Sequence, residues 1–198
     1  MIVPLGRWVL EEACRQGAHW QTARGGRPLS VAVNVSTRQL DEPGLVEGVA
    51  QALRSSGLPA ALLTLEVTET TLADASVAEP TLTALQGLGV RIALDDFGTG
   101  YSSLNYLHRF PIDIIKIDRS FVRDIVTDVD DAAIVKATIG LAASLGMLTT
   151  AEGVETREQL AFLQEHGCRF GQGFLFSPPV EADAFAALLR EERVLGAA

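Results

Sequence analysis

The feature that most constrains this sequence is a sixfold alternation of short apolar segments with longer segments of helical periodicity. The apolar segments are rich in Val, Ile and Leu and do not alternate with polar residues, which is typical of parallel strands covered on both faces. Strands are predicted at residues 29–35, 62–67, 90–94, 112–117, 147–151 and 169–171. Helices are predicted at residues 4–16, 45–54, 72–88, 130–145, 157–165 and 182–193. The sequence therefore predicts an α/β fold.

The helix starts carry local signals that agree with this alternation. Ser36 with Gln39, and Thr156 with Gln159, have the spacing of a capping box, so each pair predicts a helix start just after a strand. No segment has the composition of a linker between domains. Residues 1–198 are therefore predicted to form a single domain.

Polar side chains mark the C-terminal ends of the predicted strands. They are Asn34, Glu66, Asp95 with Asp96, Lys116, Glu152 and Gln172. An open doubly wound sheet gathers ligands only where its strand order reverses, whereas a closed ring brings the ends of successive strands to one centre. The fold class predicted is a TIM-type (βα)₈ barrel. Because a complete barrel has about 250 residues, we expect this one to be incomplete, with about two units, or roughly 50 residues, ahead of Met1.

Composition excludes several other classes of protein. The formal charge of −9 argues against a polymeric nucleic acid as partner, since phosphate backbones are bound by clustered Lys and Arg. The longest uncharged stretch, residues 137–151, is shorter than the roughly 20 apolar residues of a membrane span. The N-terminus does not look like a signal peptide, and Cys14 and Cys168 form neither a disulfide framework nor a zinc motif. A cytoplasmic location is expected.

Carboxylates gathered at one centre would repel each other unless cations lay between them. Asp95 could bridge two metal ions and Asp96 could bind one of them. Glu66, Glu152 and the amide oxygen of Asn34 would complete a shell of oxygen ligands, which favours Mg²⁺, Mn²⁺ or Ca²⁺ over zinc. Two such ions would assist displacement at phosphorus. Lys116, among these acids, is expected to remain an ammonium ion that holds a phosphate or the attacking water.

Each of these residues also has an ordinary structural interpretation. A lone Glu at a strand end is most often a helix cap or a surface ion pair, and Asn34 could bond to the next turn. Lys116 could be paired with Asp113 or Asp118 without any function. Trp8 and Trp20 are interpreted as packing residues. Only the joint pattern at six successive strand ends favours a functional site.

Six short motifs in this sequence resemble those of the EAL-domain family, which hydrolyses cyclic di-GMP. They are Asn34-Val35-Ser36, Leu65-Glu66-Val67-Thr68-Glu69, Asp95-Asp96-Phe97-Gly98-Thr99-Gly100-Tyr101-Ser102-Ser103, Lys116-Ile117-Asp118, Ala151-Glu152-Gly153-Val154-Glu155 and Gln172-Gly173-Phe174. The resemblance covers nearly the whole chain. It implies hydrolysis of one phosphodiester of cyclic di-GMP to linear pGpG, with two Mg²⁺ or Mn²⁺ ions as cofactors and Ca²⁺ as an inhibitor.

The resemblance also implies roles for individual residues. Asn34, Glu66, Asp95, Asp96 and Glu152 would be metal ligands. Lys116, Glu152, Glu155 and Gln172 would be catalytic, and Asp118 and Gly173 would contact substrate. Phe97, Gly98, Thr99, Gly100, Tyr101, Ser102 and Ser103 would form a loop, held by Glu69, that couples metal binding to formation of a homodimer. Members of the family can be fused to sensor or GGDEF domains.

The chain departs from the family at two places. It lacks the Glu-Ala-Leu signature, whose glutamate is a metal ligand, together with a nearby substrate-binding arginine, and Pro178 stands where a basic residue is frequent. The expected activity is therefore low or absent in this form. The rival hypothesis is a non-catalytic module that binds cyclic di-GMP or a protein partner.

Overall fold

A computed structural model of the chain describes residues 1–23, 28–72, 75–98 and 104–190. The chain divides into two compact units. Unit 1 contains residues 1–94 and 100–113, and unit 2 contains residues 95–99 and 114–198. Each unit is described by itself below, and whether the two act as a single domain stays a prediction.

Unit 1 alternates helices with the first strands of the chain. In order, its elements are α1 (Ile2–Ala23), β1 (Val31–Asn34), α2 (Thr37–Leu40), α3 (Leu45–Ser56), β2 (Leu63–Thr68), α4 (Ala75–Gly87), the first part of β3 (Arg91–Phe97) and α5 (Leu104–Arg109). Two 3₁₀ turns, Ala60–Leu62 and Glu69–Leu72, flank β2. Helix α1 packs against α3 and β1, and β2 is buried from Leu63 to Val67.

Unit 2 continues the same alternation from the end of β3. Its elements are β4 (Ile114–Ile117), α6 (Arg119–Arg123), α7 (Val129–Ser144), β5 (Leu148–Glu152), α8 (Arg157–Glu165), β6 (Phe170–Gln172) and α9 (Ala182–Arg190). Their apolar faces meet in one core of buried residues: Ile117, Val122, Ile125, Val135, Ile139, Ala151, Val154 and Leu163. Strand β4 is buried along its whole length. The ends of β4 and β5 in this unit therefore pack on one apolar core.

The strands form one six-stranded sheet in the order β1-β2-β3-β4-β5-β6. The pairs β1–β2, β4–β5 and β5–β6 are parallel. Because the order follows the chain without reversal, it differs from the order of a doubly wound sheet. The predicted α/β alternation is confirmed, and all six strands lie within two or three residues of their expected positions.

The structure differs from the sequence expectations in several details. Strand β3 continues to Phe97, so Asp95 and Asp96 lie within the strand and not beyond it. The short helices α5 and α6 were not predicted, because five or six residues are too few to show a helical period. Trp8 is 61% exposed, so its interpretation as a packing residue was wrong. It lies on α1 with other exposed apolar residues, namely Ile2, Leu5 and Val9.

No helix in the part of the chain that the structure describes is long and apolar enough to cross a lipid bilayer.

Candidate functional site

In unit 1, Asn34 and Glu66 are neighbours at the ends of adjacent strands. They are register partners in the parallel pair β1–β2, and the backbone N–H of Val35 donates to the carbonyl oxygen of Glu66 at 2.8 Å. Glu66 is buried and Asn34 is exposed. Glu69 follows at the start of the 3₁₀ turn Glu69–Leu72. The strand ends that carry Asn34 and Glu66 are therefore adjacent in this unit, and the role of the two side chains as metal ligands stays a prediction.

In unit 2, Asp95 and Asp96 are adjacent residues near the C-terminal end of β3. Asp95 is buried and Asp96 is exposed. Asp96 has a φ of 55°, and its backbone N–H donates to Oδ1 of Asp95 at 3.1 Å. Left-handed backbone is uncommon for residues other than glycine, although Asp tolerates it better than most. Such strain often lies at functional sites, where surrounding contacts enforce it.

Lys116 lies between two carboxylates of this unit. Its Nζ is 2.9 Å from Oδ1 of Asp95 and 2.6 Å from Oε1 of Glu152. The Lys116 side chain is only 5% exposed, and the side chains of Asp95 and Glu152 are 12% and 20% exposed. A buried ammonium group is costly unless opposite charges and hydrogen bonds compensate for lost water. Lys116 is thus paired with Asp95 and Glu152, and its pairing with Asp113 or Asp118, considered from the sequence, stays a prediction.

Three carboxylates of unit 2 are close enough to share a cation. Asp95, Asp96 and Glu152 each offer an oxygen atom within 4.8 Å of the others. A set of carboxylate oxygens suits a hard divalent cation such as Mg²⁺, Mn²⁺ or Ca²⁺ and not a thiolate-seeking metal. The residues present therefore fit the expected kind of ion. They come from strands β3 and β5, on either side of the strand that carries Lys116.

Two of the predicted site residues of unit 2 have structural roles. Asp118 is the N-cap of α6 and accepts hydrogen bonds from the backbone N–H of Ser120 at 2.9 Å and from its hydroxyl at 2.5 Å. Burial acts to raise the pKa of Asp118, but the bonds from Ser120 outweigh it and lower that pKa below its ordinary value. A Cβ atom at Gly173 would lie 2.2 Å from the carbonyl oxygen of Val154. Contact of either residue with substrate stays a prediction.

The remaining predicted catalytic residues, Glu155 and Gln172, are exposed. The backbone N–H of Glu155 donates to Oε1 of Gln159 at 2.7 Å. The carbonyl oxygen of Gln172 accepts from the N–H of Val154 at 3.0 Å. The main chain of both residues is therefore fixed, while their side chains are available to solvent.

The loop expected to couple metal binding to dimer formation is described only at its start. Phe97 is buried at the end of β3, and Gly98 has a φ of 96°. A Cβ atom at Gly98 would lie 3.1 Å from the Phe121 ring. Thr99, Gly100, Tyr101, Ser102 and Ser103 lie outside the described residues. The role of this loop stays a prediction.

Sequence reasoning identified Gln159 only as part of a capping box. The structure adds a hydrogen bond from its Nε2 to the carbonyl oxygen of Arg123 at 2.9 Å. A possible signal was the choice of an amide, because a glutamate would have satisfied the capping box equally well. The amide adds a donor, and that donor requires a partner.

Comparison with known proteins gives consistent matches along the chain. The family model described as EAL domain matches residues 1–179. The chain is 46% identical over 188 residues to "Bifunctional diguanylate cyclase/cyclic di-GMP phosphodiesterase MucR" of Pseudomonas aeruginosa, covering 94% of this chain and 27% of that protein. It is 46% identical over 196 residues to "Cyclic di-GMP phosphodiesterase NbdA" of the same organism, covering 98% of this chain and 25% of that protein.

Solved structures agree with this family match. The EAL enzyme Bd1971, in a form bound to cAMP and cyclic di-GMP, superposes with a TM-score of 0.92 at 35% identity, covering 96% of this chain and 52% of that one. Klebsiella pneumoniae BlrP1, in a calcium and cyclic di-GMP complex, gives a TM-score of 0.79 at 35% identity, covering 88% of this chain and 44% of that one. These matches confirm the predicted fold class, that of an EAL-type barrel. The chain spans about a quarter of the length of the two curated relatives.

Proposed function

The chain belongs to the EAL domain family, and from this premise we propose that it acts on cyclic di-GMP, hydrolysing one phosphodiester bond to linear pGpG, with an activity lowered by the absence of the Glu-Ala-Leu glutamate from these 198 residues. The observation that carries the proposal is the arrangement of Asp95, Asp96 and Glu152 around Lys116 in unit 2. Carboxylates converging on a buried ammonium group suit a phosphate ester held through divalent cations, in a chain whose net charge of −9 would otherwise repel it.

The cations are proposed to be two Mg²⁺ or Mn²⁺ ions. Asp95, Asp96 and Glu152 would hold them, with Asn34 and Glu66 as further ligands. When bound, such ions make a coordinated water a better nucleophile and offset the charge that develops at phosphorus.

The chain's own residues would organise the reactants. The Lys116 ammonium keeps the carboxylates of Asp95 and Glu152 turned toward each other and supplies a fixed positive charge near the phosphate. Because its side chain is almost fully buried, this charge is weakly screened by water. The left-handed backbone of Asp96 turns the chain sharply just after the buried Asp95, which orients two adjacent carboxylates differently. Glu155 and Gln172, both exposed, are proposed to contact water or substrate.

A second candidate function is binding of cyclic di-GMP without turnover. The observation that favours it is the absence of a Glu-Ala-Leu sequence, and so of that glutamate, from these 198 residues. Formation of a homodimer through residues 97–103 stays a prediction under either function.

One experiment separates these functions. The purified chain is incubated with cyclic di-GMP and Mn²⁺, pGpG is measured by chromatography, and binding of Mn²⁺ and of cyclic di-GMP is measured by calorimetry. The phosphodiesterase proposal expects metal-dependent formation of pGpG that falls at least about 100-fold in Asp95→Asn, together with loss of Mn²⁺ binding. Binding without product supports the second function. Absence of both binding and product refutes both.

A further inference from the structure

The Gln159 side chain joins two segments of unit 2 that lie far apart in the sequence. It is 5% exposed. Its Oε1 accepts from the N–H of Glu155 at 2.7 Å and from the N–H of Thr156 at 2.9 Å, and its Nε2 donates to the carbonyl oxygen of Arg123 at 2.9 Å. The amide is thus bonded on both sides and fixed in orientation.

The two segments that Gln159 joins are those that carry Lys116 and Glu152. Arg123 is the last residue of α6, which follows β4 and Lys116. Glu155 follows β5, which ends at Glu152. The Lys116–Glu152 ion pair connects the same two segments at 2.6 Å. The two segments are therefore linked twice, once by the Lys116–Glu152 ion pair and once by the Gln159 amide. Together these two links form a closed ring of contacts.

Packing between the same segments leaves this ring little freedom. A Cβ atom at Gly153 would lie 2.6 Å from Cβ of Arg119, so the loop after β5 rests directly on the start of α6. Gly98, just past Asp95 and Asp96, lies against Phe121 of the same helix. Helix α6 therefore contacts Gly98, the residue that follows β3, and the loop that follows β5, and Gln159 links the last residue of α6 to that loop.

We propose that Gln159 is a positioning residue for the cation site, acting through the Lys116–Glu152 pair; this inference rests on the proposed function. Of its three side-chain hydrogen bonds, the one from the N–H of Thr156 belongs to an ordinary capping box, which needs only an acceptor at this position. The bond from Nε2 to Arg123 is not part of any cap of α8. That bond sets the separation of the Lys116 and Glu152 segments, and with it the position of the Glu152 carboxylate relative to Asp95 and Asp96.

Three variants separate positioning from helix capping. Gln159→Glu keeps an acceptor for the capping box but replaces the donor with an oxygen that repels the Arg123 carbonyl. Gln159→Met removes both functions. Thr156→Val is the matched control, because it removes the hydroxyl that accepts from the N–H of Gln159 at 3.2 Å and leaves the amide in place.

Mn²⁺ affinity, measured by electron paramagnetic resonance, is compared with the melting temperature of each variant. Removing groups that orient metal ligands commonly weakens metal affinity 10- to 100-fold. We expect Gln159→Glu to bind Mn²⁺ about tenfold more weakly and, because a carboxylate is then buried beside a carbonyl, to melt at a lower temperature. Gln159→Met should lose at least as much Mn²⁺ affinity. Thr156→Val should lower the melting temperature with Mn²⁺ affinity within about twofold of the parent. The proposal would be overturned if Gln159→Glu bound Mn²⁺ as tightly as the parent. It would also be overturned if Gln159→Glu and Thr156→Val lost Mn²⁺ affinity equally.

A second readout needs no metal. The chain has two lysines, Lys116 and Lys136, so Lys136→Met assigns the side-chain ammonium signal of Lys116 in a ¹⁵N nuclear magnetic resonance spectrum. We expect that signal to be slow to exchange in the parent and in Thr156→Val, and lost in Gln159→Glu. An unchanged signal in Gln159→Glu contradicts positioning, even if the parent binds no Mn²⁺. Failure of the parent to bind Mn²⁺ contradicts the proposed metal site, so the two failures are distinguishable.

Discussion

At the scale of single residues, the site is organised by an internal cation. Lys116 occupies a strand that is otherwise apolar and buried, where an ammonium group would be unstable without Asp95 and Glu152. The positive charge of Lys116 in turn offsets the repulsion between the carboxylates of Asp95 and Glu152. A divalent cation held by Asp95 and Glu152 would therefore compete with Lys116 for carboxylate oxygen atoms.

This competition leads to a prediction for Lys116→Met. Removing one partner of a buried ionic group typically costs about 3–5 kcal/mol, because the remaining charges stay buried. We expect the metal-free variant to be less stable than the parent by about 3 kcal/mol, and Mn²⁺ to raise its melting temperature more than it raises that of the parent. Calorimetric melts with EDTA and with Mn²⁺ measure both effects.

Lys136→Met is the matched control for Lys116→Met. Lys136 is exposed, and its Nζ lies 5.1 Å from the centroid of the Phe162 ring. Its loss should cost no more than about 1 kcal/mol. Equal effects of the two substitutions would contradict the role given to Lys116.

A second prediction at this scale concerns pH. Burial raises the pKa of the Cys14 thiol to about 11, above the value of about 8.5 typical of an exposed thiol. The neutral Cys14 thiol therefore makes its full contribution to the free energy of unfolding below about pH 8.5, and this contribution is lost as the pH rises through 11. Between pH 8 and 10.5 the melting temperature of the parent should fall more than that of Cys14→Ala, which has no thiol to ionise. Parallel curves for the two proteins would show that Cys14 does not titrate in this way.

At the scale of secondary-structure elements, two hydrogen bonds link the start of β3 to Asp113. Asp113, just before β4, donates its N–H to the carbonyl oxygen of Ile92 at 2.9 Å, and its Oδ2 accepts from the N–H of Ile92 at 2.8 Å. Ile92 is completely buried. Asp113 therefore supplies the acceptor for a main-chain donor that water does not reach.

Asp113→Ala should be destabilising, because it leaves the buried N–H of Ile92 without that acceptor. A cost of about 1–3 kcal/mol in the free energy of unfolding is expected. Asp113→Asn keeps an acceptor oxygen and should lose less than half as much. Urea unfolding of the three proteins measures the difference, and similar losses for Ala and Asn would mean that the carboxylate charge, and not the hydrogen bond, is what matters.

The sequence predicted these elements well where one physical signal dominates. Buried parallel strands need continuous apolar residues, so all six strands were predicted. The capping box at Thr156 correctly predicted that α8 begins at Arg157. Helix α6 was missed because an N-cap and packing, not periodicity, define its five residues. The left-handed Asp96 and the bond from Gln159 to Arg123 depend on segments distant in sequence, which no local pattern encodes.

At the scale of the whole molecule, the sheet ends in two terminal strands. Strand β1 pairs with β2 and β6 pairs with β5, and among the residues that the structure describes no other strand pairs with β1 or β6. All three residues of β6 are exposed, and Phe170 is 43% exposed. An exposed strand edge with an apolar side chain is a template for pairing with another chain.

The chain is therefore expected to self-associate through these edges. Phe170→Lys places a charge on the terminal strand, which is a common means of blocking edge pairing. We expect the parent to show a mass above that of one chain in light scattering at high concentration, and Phe170→Lys to show a smaller mass. A charge change of the same sign at an exposed helix position, Gln164→Lys, serves as the control. A monomeric parent, or equal masses for the two variants, would count against edge pairing.

The close approach at Gly173 has a consequence for how such sequences can diverge. The atoms that would collide with a side chain there belong to the main chain of residue 154, at 2.2 and 2.3 Å, and not to its side chain. A larger residue at 173 therefore has no compensating partner, since every amino acid at 154 brings the same peptide atoms. Position 154 can vary as its core allows, while position 173 cannot follow it. We therefore expect the two positions not to covary among related sequences, although they touch.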